Sequence, residues 1–203
     1  MTDSIFTTIR VADFNPIWIE DHILRLKKGA DILAIPFDEE VLTNSVIAAL
    51  SNNAFPNARM RIVLNKDGFS EINFEPFSGH LRPLSIRFKE IEPQGNLKIW
   101  PFRKHAQNDS EEVILIDRNN GNVLEGSYTN VFVKTGDEFF TPPDDGKILP
   151  GICRKYFIRY LKLKGYKVHE GYFGIEKLKN SEIFLTNALR GVIRAEIAAQ
   201  TQQ

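Results

Sequence analysis

The chain holds one cysteine, Cys153, in 203 residues. An internal disulfide is therefore impossible, and the composition fits a reducing compartment. No surplus of either charge is present, since 26 basic side chains balance 26 acidic ones. A protein whose main partner is nucleic acid carries a basic surplus to meet the phosphates, so that partner is not expected. The short basic runs "RLKK" and "YLKLKGYK" read as solvated helix faces. No apolar run approaches the roughly 20 residues needed to cross a bilayer. The opening "MTDSIFTTIR" lacks the basic segment followed by an apolar one that marks an export signal. A cytoplasmic globular protein with no membrane partner is expected.

Several chemical signatures are missing as well. No Gly-x-Gly-x-x-Gly follows a strand, so dinucleotide binding has no support. Neither Gly-x-Ser-x-Gly nor a Ser-His-Asp pattern occurs. His22, His80, His105 and His169 show no ligand spacing among themselves or with Cys153, and no metal site is expected. Internal repeats and low-complexity segments are absent.

What remains is a chain with 42% hydrophobic residues, enough to core one large domain or two small lobes. "SIFTTIR" is β-branched and aromatic and reads as a strand, and "PIWIE" offers a second. From Asp21 to Leu33 the apolar positions Ile23, Leu26, Ala30 and Leu33 recur at helical spacing. Pro36 stops that helix. Asp38 caps the next, whose apolar face is Leu42, Val46, Ala49 and Leu50. "RMRIVLNKDGFSEINFEPF" reads as a hairpin about "NKDG". "LSIRFKEIE", "LKIWPF", "EVILID", "NVFVK" and "EFFTPP" read as further strands separated by turn residues. A helix is expected from Ile152 to Lys164, with Ile152, Tyr156, Tyr160 and Leu163 inward and Gly165 as its stop. "EIFLTN" supplies a last strand before a short tail. Mixed strands, helices and hairpins make the class α+β rather than doubly wound. The expected organisation is a small α/β lobe over 1–80, an interdomain connection over 81–96 and a larger strand-rich lobe over 97–203.

Three stretches carry chemistry. In "KILPGICRKYF" a Pro-Gly turn leads into a helix whose first free N–H groups belong to Gly151, Ile152 and Cys153. Unpaired donors and the positive end of the dipole make such a start a ready anion site. In "NVLEGSYTNVF" Glu125 stands beside Gly126 and Ser127, and the small neighbours let a flat molecule approach the backbone. "FLTNALRG" is a strand running into a turn rich in backbone donors.

Together these stretches resemble the class IV aminotransferase family, the pyridoxal-phosphate enzymes that include branched-chain aminotransferases, D-amino acid aminotransferases and aminodeoxychorismate lyases. "SIFTTIRV" looks like the family's first strand and "DHILRLKKGADIL" like the helix after it. "EEVILIDRNNGNVLEGSYTNVFV", "TPPDDGKILPGICRKYF" and "EIFLTNALRGVI" follow in the family's order. The resemblance implies a two-lobed fold type IV architecture of the D-amino acid aminotransferase kind, shortened at the N-terminus and after the candidate lysine. It implies pyridoxal 5'-phosphate as cofactor, an amino-acid-like small molecule as substrate, and a homodimer.

The resemblance also implies roles. Glu125 would meet the pyridine nitrogen and keep it protonated. Arg25 would pair with the cofactor phosphate through its fork of donors. Backbone groups of Ile152 and Cys153 would complete the phosphate site, with the turn Thr186-Asn187-Ala188 adding donors. The family requires a lysine that holds the cofactor aldehyde covalently and moves a proton between substrate carbons. Two lysines compete for that role: Lys104 in "PFRKH" is favoured, and Lys98 in "NLKIW" is the alternative. Thr7 stands where many relatives have glutamate, and Cys153 where threonine is usual. "FLTNALRGV" is similar to the aminodeoxychorismate lyases, which release pyruvate and form 4-aminobenzoate for folate synthesis. Transamination of a branched-chain or D-amino acid is the alternative, and a non-catalytic cofactor-binding or scaffold protein derived from the family is the other.

Overall fold

The computed structural model describes residues 4–79, 83–93 and 111–198. The described residues form two compact units, 4–79 in one and 83–93 with 111–198 in the other.

In the first unit a four-stranded antiparallel sheet, in the order β2-β1-β3-β4, carries two helices on one face. Strand β1 (Ser4–Ala12) alternates strictly between buried and half-exposed positions, as does β3 (Ala58–Asn65). That is the period of two expected of a sheet with one covered face. Helices α1 (Ile19–Leu33) and α2 (Glu39–Ser51) cover it with Leu26, Ala30, Leu42 and Val46, which pack on Ile5, Ile9, Met60 and Ile62. Asp38 caps α2 as expected, its side chain accepting from the N–H groups of Glu40 and Val41 at 3.0 Å each. Strands β3 and β4 (Ser70–Pro76) form the hairpin read about "NKDG". Gly68 donates to the Asn65 carbonyl and takes φ +83, a left-handed position that closes a type I turn.

"PIWIE" is not a strand. Only Asn15–Pro16 pair with β1, as β2, after a tight turn in which Asp13 and Phe14 both have positive φ. Pro16 offers no N–H to extend the ladder. Trp18 is left-handed as well, and α1 begins at the next residue.

The second unit is built on an eight-stranded mixed sheet in the order β10-β9-β8-β11-β12-β5-β6-β7. Its strands are β5 (Leu84–Ile91), β6 (Glu111–Asp117), β7 (Val123–Gly126), β8 (Asn130–Thr135), β9 (Glu138–Thr141), β10 (Lys167–Glu170), β11 (Glu182–Asn187) and β12 (Gly191–Ile197). The chain leaving β10, one edge, returns to β7, the other: Val123 N–H donates to the Phe173 carbonyl at 2.8 Å, and Asn122 bridges to Gly174. The sheet therefore curls almost closed around a core of Ile86, Ile114, Val131, Val133, Leu178 and Leu185. Most of β6, β7 and β8 is buried on both faces.

Strand β12 lies where the sequence reads as a tail, and β7, β10 and the short helix α4 (Ile175–Lys179) also went unread. Each is five residues or fewer except β12, too short to show a period. Helix α3 (Ile152–Leu163) is where the sequence puts it, but its inward face differs. Ile158 and Leu161, with Phe157, pack on Phe132, Phe139 and Phe184, whereas Tyr160 and Leu163 are 53% and 77% exposed. The helix has two apolar stripes, and the three aromatic rings on the sheet select one of them. No helix among the described residues is long and apolar enough to cross a membrane.

This assignment separates two leucines on one helix. Leu161→Ala is expected to lower stability by about 2–5 kcal/mol, as for a packed core leucine. Leu163→Ala should change it by less than about 0.5 kcal/mol. Urea unfolding of the two variants measures the difference.

Candidate active site

The hairpin from β6 to β7 brings Glu125 into the protein. Asp117, buried at its tip, holds the turn by accepting from the Asn119 N–H and the Asn120 side-chain amide at 3.0 Å each. Glu125 follows two residues into β7 and is 6% exposed. A buried carboxylate must find donors or lose several kcal/mol of hydration. One is supplied by the loop before α3, where the Leu149 N–H donates to Glu125 Oε2 at 3.0 Å.

A second buried carboxylate lies next to it, and the sequence reading passed over it. Glu112 on β6 is 2% exposed. Its Oε1 accepts from the N–H groups of Val113 and Ser127 at 2.9 Å each and from Ser127 Oγ at 2.5 Å. Its Oε2 accepts from the Tyr128 N–H at 3.2 Å and Thr129 Oγ1 at 2.9 Å. Glycine at 126 makes room for this arrangement, because a Cβ there would stand 2.8 Å from Glu112 Cδ and overlap the Thr129 hydroxyl. The signal in the sequence was the hydroxyl-rich turn "GSYT" facing a strand that begins with two glutamates.

The start of α3 is assembled from three directions. Asn130, first residue of β8, donates from Nδ2 to the Leu149 carbonyl at 2.8 Å. Its Oδ1 lies so close to Gly151 that a Cβ at that position would collide with it. Gly151 is the N-cap of α3 and contributes no side-chain cap, so the amides of the first turn are not met by one. Across the ladder, Thr186 on β11 stands opposite Asn130. Phe132 and Phe184, two residues from each, pack against α3, so Asn130 and Thr186 direct their side chains to the same face. Thr186 Oγ1 is buried and has no hydrogen-bond partner among the described residues. An orphan buried hydroxyl costs about 1–3 kcal/mol, which a bound acceptor would return. Uncapped amides and an orphan hydroxyl are groups through which an anion can be bound.

Cys153 is the second residue of α3, so its backbone N–H belongs to that uncapped first turn. A thiol at a helix N-terminus is ordinarily acidified, but burial pushes this one up to about 12. It stays a neutral thiol at physiological pH. Ile152 beside it is buried too. After Thr186, Asn187 folds the chain back by accepting on Oδ1 from the N–H groups of Leu189 and Arg190 at 3.1 and 2.7 Å, with Ala188 inside that turn.

The structure thus brings Glu125, Ile152, Cys153, Thr186, Asn187 and Ala188 into the second unit, linked through Leu149 and Asn130. Arg25 belongs to the first unit, half-buried on α1 one turn after His22. His22 is fully buried, and its Nδ1 lies 2.6 Å from the Thr7 hydroxyl on β1, which fixes the helix against the sheet. Lys98 and Lys104 lie outside the described residues.

Comparison with known proteins extends these observations. The model of the family described as amino-transferase class IV matches residues 4–87 and 96–197. The chain is 26% identical to the aminodeoxychorismate lyase of Bacillus subtilis (strain 168) over 221 residues, covering 93% of this chain and 75% of that protein. It is 36% identical over 93 residues to the mitochondrial branched-chain-amino-acid aminotransferase 1 of Arabidopsis thaliana, 45% of this chain and 24% of that protein. The branched-chain amino acid aminotransferase of Escherichia coli shares the fold, with a TM-score of 0.82 at 21% identity over 97% of this chain and 76% of that one. With most of its length matched and its fold shared, the protein belongs to the class IV aminotransferase family, the fold type IV enzymes that work with pyridoxal phosphate.

Proposed function

We propose that the protein is a lyase of the aminodeoxychorismate lyase type, releasing pyruvate and forming 4-aminobenzoate. The observation that carries this reading is the similarity to the B. subtilis lyase, which runs over 93% of the chain, together with the strand and turn "FLTNALRG" at 184–191.

The residues of the second unit fit pyridoxal phosphate on their own chemistry. The orphan hydroxyl of Thr186 and the uncapped amides at Ile152 and Cys153 are donors awaiting an anion with several acceptor oxygens. Glu125, buried and acceptor-only when ionised, suits a protonated ring nitrogen. The cofactor, when bound, supplies an electron-poor ring that accepts the electron pair left at the substrate α-carbon. Glu125 holds the proton on the ring nitrogen that makes this possible, since a carboxylate beside a cationic N–H favours the charged form. The Leu149 N–H keeps one Glu125 oxygen in place. The amine of Lys104, or of Lys98 in its stead, takes the proton from the α-carbon as general base. Breaking the C–O bond to the enolpyruvyl group, which takes up a proton and leaves as pyruvate, would then make the six-membered ring aromatic, and that gain drives the elimination.

Transamination of a small amino acid is the second reading, favoured by the 36% identity to the Arabidopsis aminotransferase. The two separate cleanly. With aminodeoxychorismate as the only substrate, the lyase produces pyruvate with no amino-group acceptor present, whereas a transaminase turns over only when a 2-oxo acid is supplied. Absence of pyruvate under the first condition rejects the lyase. A non-catalytic scaffold would show neither activity and would gain no chromophore with added cofactor.

The site itself yields two expectations. Thr186→Val is expected to weaken pyridoxal phosphate binding by about tenfold, the value of one lost hydrogen bond to a charged group. The melting temperature of its cofactor-free form should stay level or rise, because an unpaired hydroxyl is removed. Calorimetry and equilibrium titration check both. Borohydride reduction in the presence of pyridoxal phosphate should fix the cofactor on one lysine. Peptide mapping is expected to find it on Lys104, and Lys104→Ala should abolish the labelling; labelling on Lys98 instead reverses that assignment.

A further inference from the structure

Glu112 takes no part in the reading above, yet its side chain accepts five hydrogen bonds from described residues. Five donors converge on it, and all five are uncharged: three backbone N–H groups and two hydroxyls. Four of them come from Ser127, Tyr128 and Thr129, the turn that begins two residues after Glu125. The backbone alone holds this turn with little, since the Gly126 N–H donates to the Thr129 carbonyl and the Ser127 N–H is shared between Glu112 and the Val113 carbonyl. Only an acceptor can serve five donors at once, and an ionised carboxylate is the one side chain that accepts on both atoms and donates on neither. A glutamine would turn an NH2 group toward the Tyr128 N–H, which then has nothing to bond. Among the described residues the acid at this position is therefore matched by hydrogen-bond polarity, its five donors all being uncharged.

We propose that Glu112 is a positioning residue for the Glu125 carboxylate. By locking the turn 126–129 it fixes where β7 ends, and with it the direction from which Glu125 can meet a bound ring. Gly126 permits the close approach, Ser127 and Thr129 supply the hydroxyl donors, and the Leu149 N–H restrains Glu125 from the other side. Slack in the turn would let Glu125 turn toward Leu149 and away from the ring nitrogen. The inference rests on the reading of Glu125 as the partner of that nitrogen.

The test measures that contact directly, using the full chain freed of cofactor. Dissociation constants are compared for pyridoxal phosphate and for its 1-deaza analogue, in which carbon replaces the ring nitrogen and the aldehyde and phosphate remain. Their ratio reports the preference for a ring nitrogen. Glu125→Gln is expected to abolish the preference, and Glu112→Gln to reduce it by about tenfold, the order seen when an outer partner of a ligand-holding group is lost. Leu178→Ala, a core truncation that leaves all five donors to Glu112 in place, lowers the melting temperature and should leave the ratio unchanged. If Glu112→Gln fails to fold, Ser127→Ala and Thr129→Val read the same ratio, each with an expected loss of about threefold. Should Glu112→Gln or the hydroxyl variants keep the full preference while Glu125→Gln loses it, the positioning role is overturned and the role of Glu125 stands. Should Leu178→Ala lose as much as Glu112→Gln, the effect is general destabilisation and the proposal falls. Should Glu125→Gln itself keep the preference, the reading of Glu125 falls and this inference goes with it.

Discussion

A carboxylate taken out of water must be met by donors, and the second unit buries three, Glu112 and Asp117 on β6 and Glu125 on the neighbouring β7. Much of the local sequence follows from that need. Glu112 requires donors at 127, 128 and 129, hence the hydroxyls of Ser127 and Thr129 and a turn tight enough to aim three of its groups at one side chain. The tightness requires glycine at 126. Glu125 requires a donor from outside its own hairpin, and the loop leading to α3 brings the Leu149 N–H to it. What reads in the sequence as a glutamate with small neighbours is, in the fold, one of two acids that organise the end of a strand and the entry of a helix.

The same loop ties the carboxylate region to the helix start. Leu149 uses its N–H on Glu125 and its carbonyl on Asn130, and Asn130 in turn presses against Gly151, where α3 begins. A three-residue stretch thereby couples the position of an acid to that of an uncapped helix terminus. Thr186, opposite Asn130 in the ladder, carries a buried hydroxyl that no described residue satisfies. Proteins rarely keep such a group buried without a use, and on the reading offered above the use is a phosphate oxygen. The terminus does not acidify Cys153, because burial outweighs the helix dipole.

How far the sequence could be read depended on element length and on the number of apolar faces. The hairpin about "NKDG", the cap at Asp38 and the α1 stripe ending at Leu33 were legible because each has a local cause: a turn residue free to take positive φ, a short acid before a helix, a regular spacing. β7 and β10, at four residues each, are too short for alternation to show. Helix α3 presents two apolar stripes, and no local rule says that Ile158 and Leu161, not Tyr160 and Leu163, will meet Phe132 and Phe139. "PIWIE" failed for a different reason, since Asp13 and Phe14 adopt a left-handed turn without the glycine that normally announces one.

By itself the sequence determined the α+β class and, through the order of its motifs, the family, and it nominated residues 125, 152–153 and 186–188 for the site proposed above. Those are properties of residue type and spacing, which the chain carries in any conformation. The tertiary structure decided which of these groups are buried, which described donors meet the acids, and that Glu112 and Asn130 bond the turn after Glu125 and the loop before α3. Burial and hydrogen-bond partnership depend on strands far apart in sequence coming side by side, as β8 does with β11 and β5 with β12. No reading of neighbours along the chain can supply them.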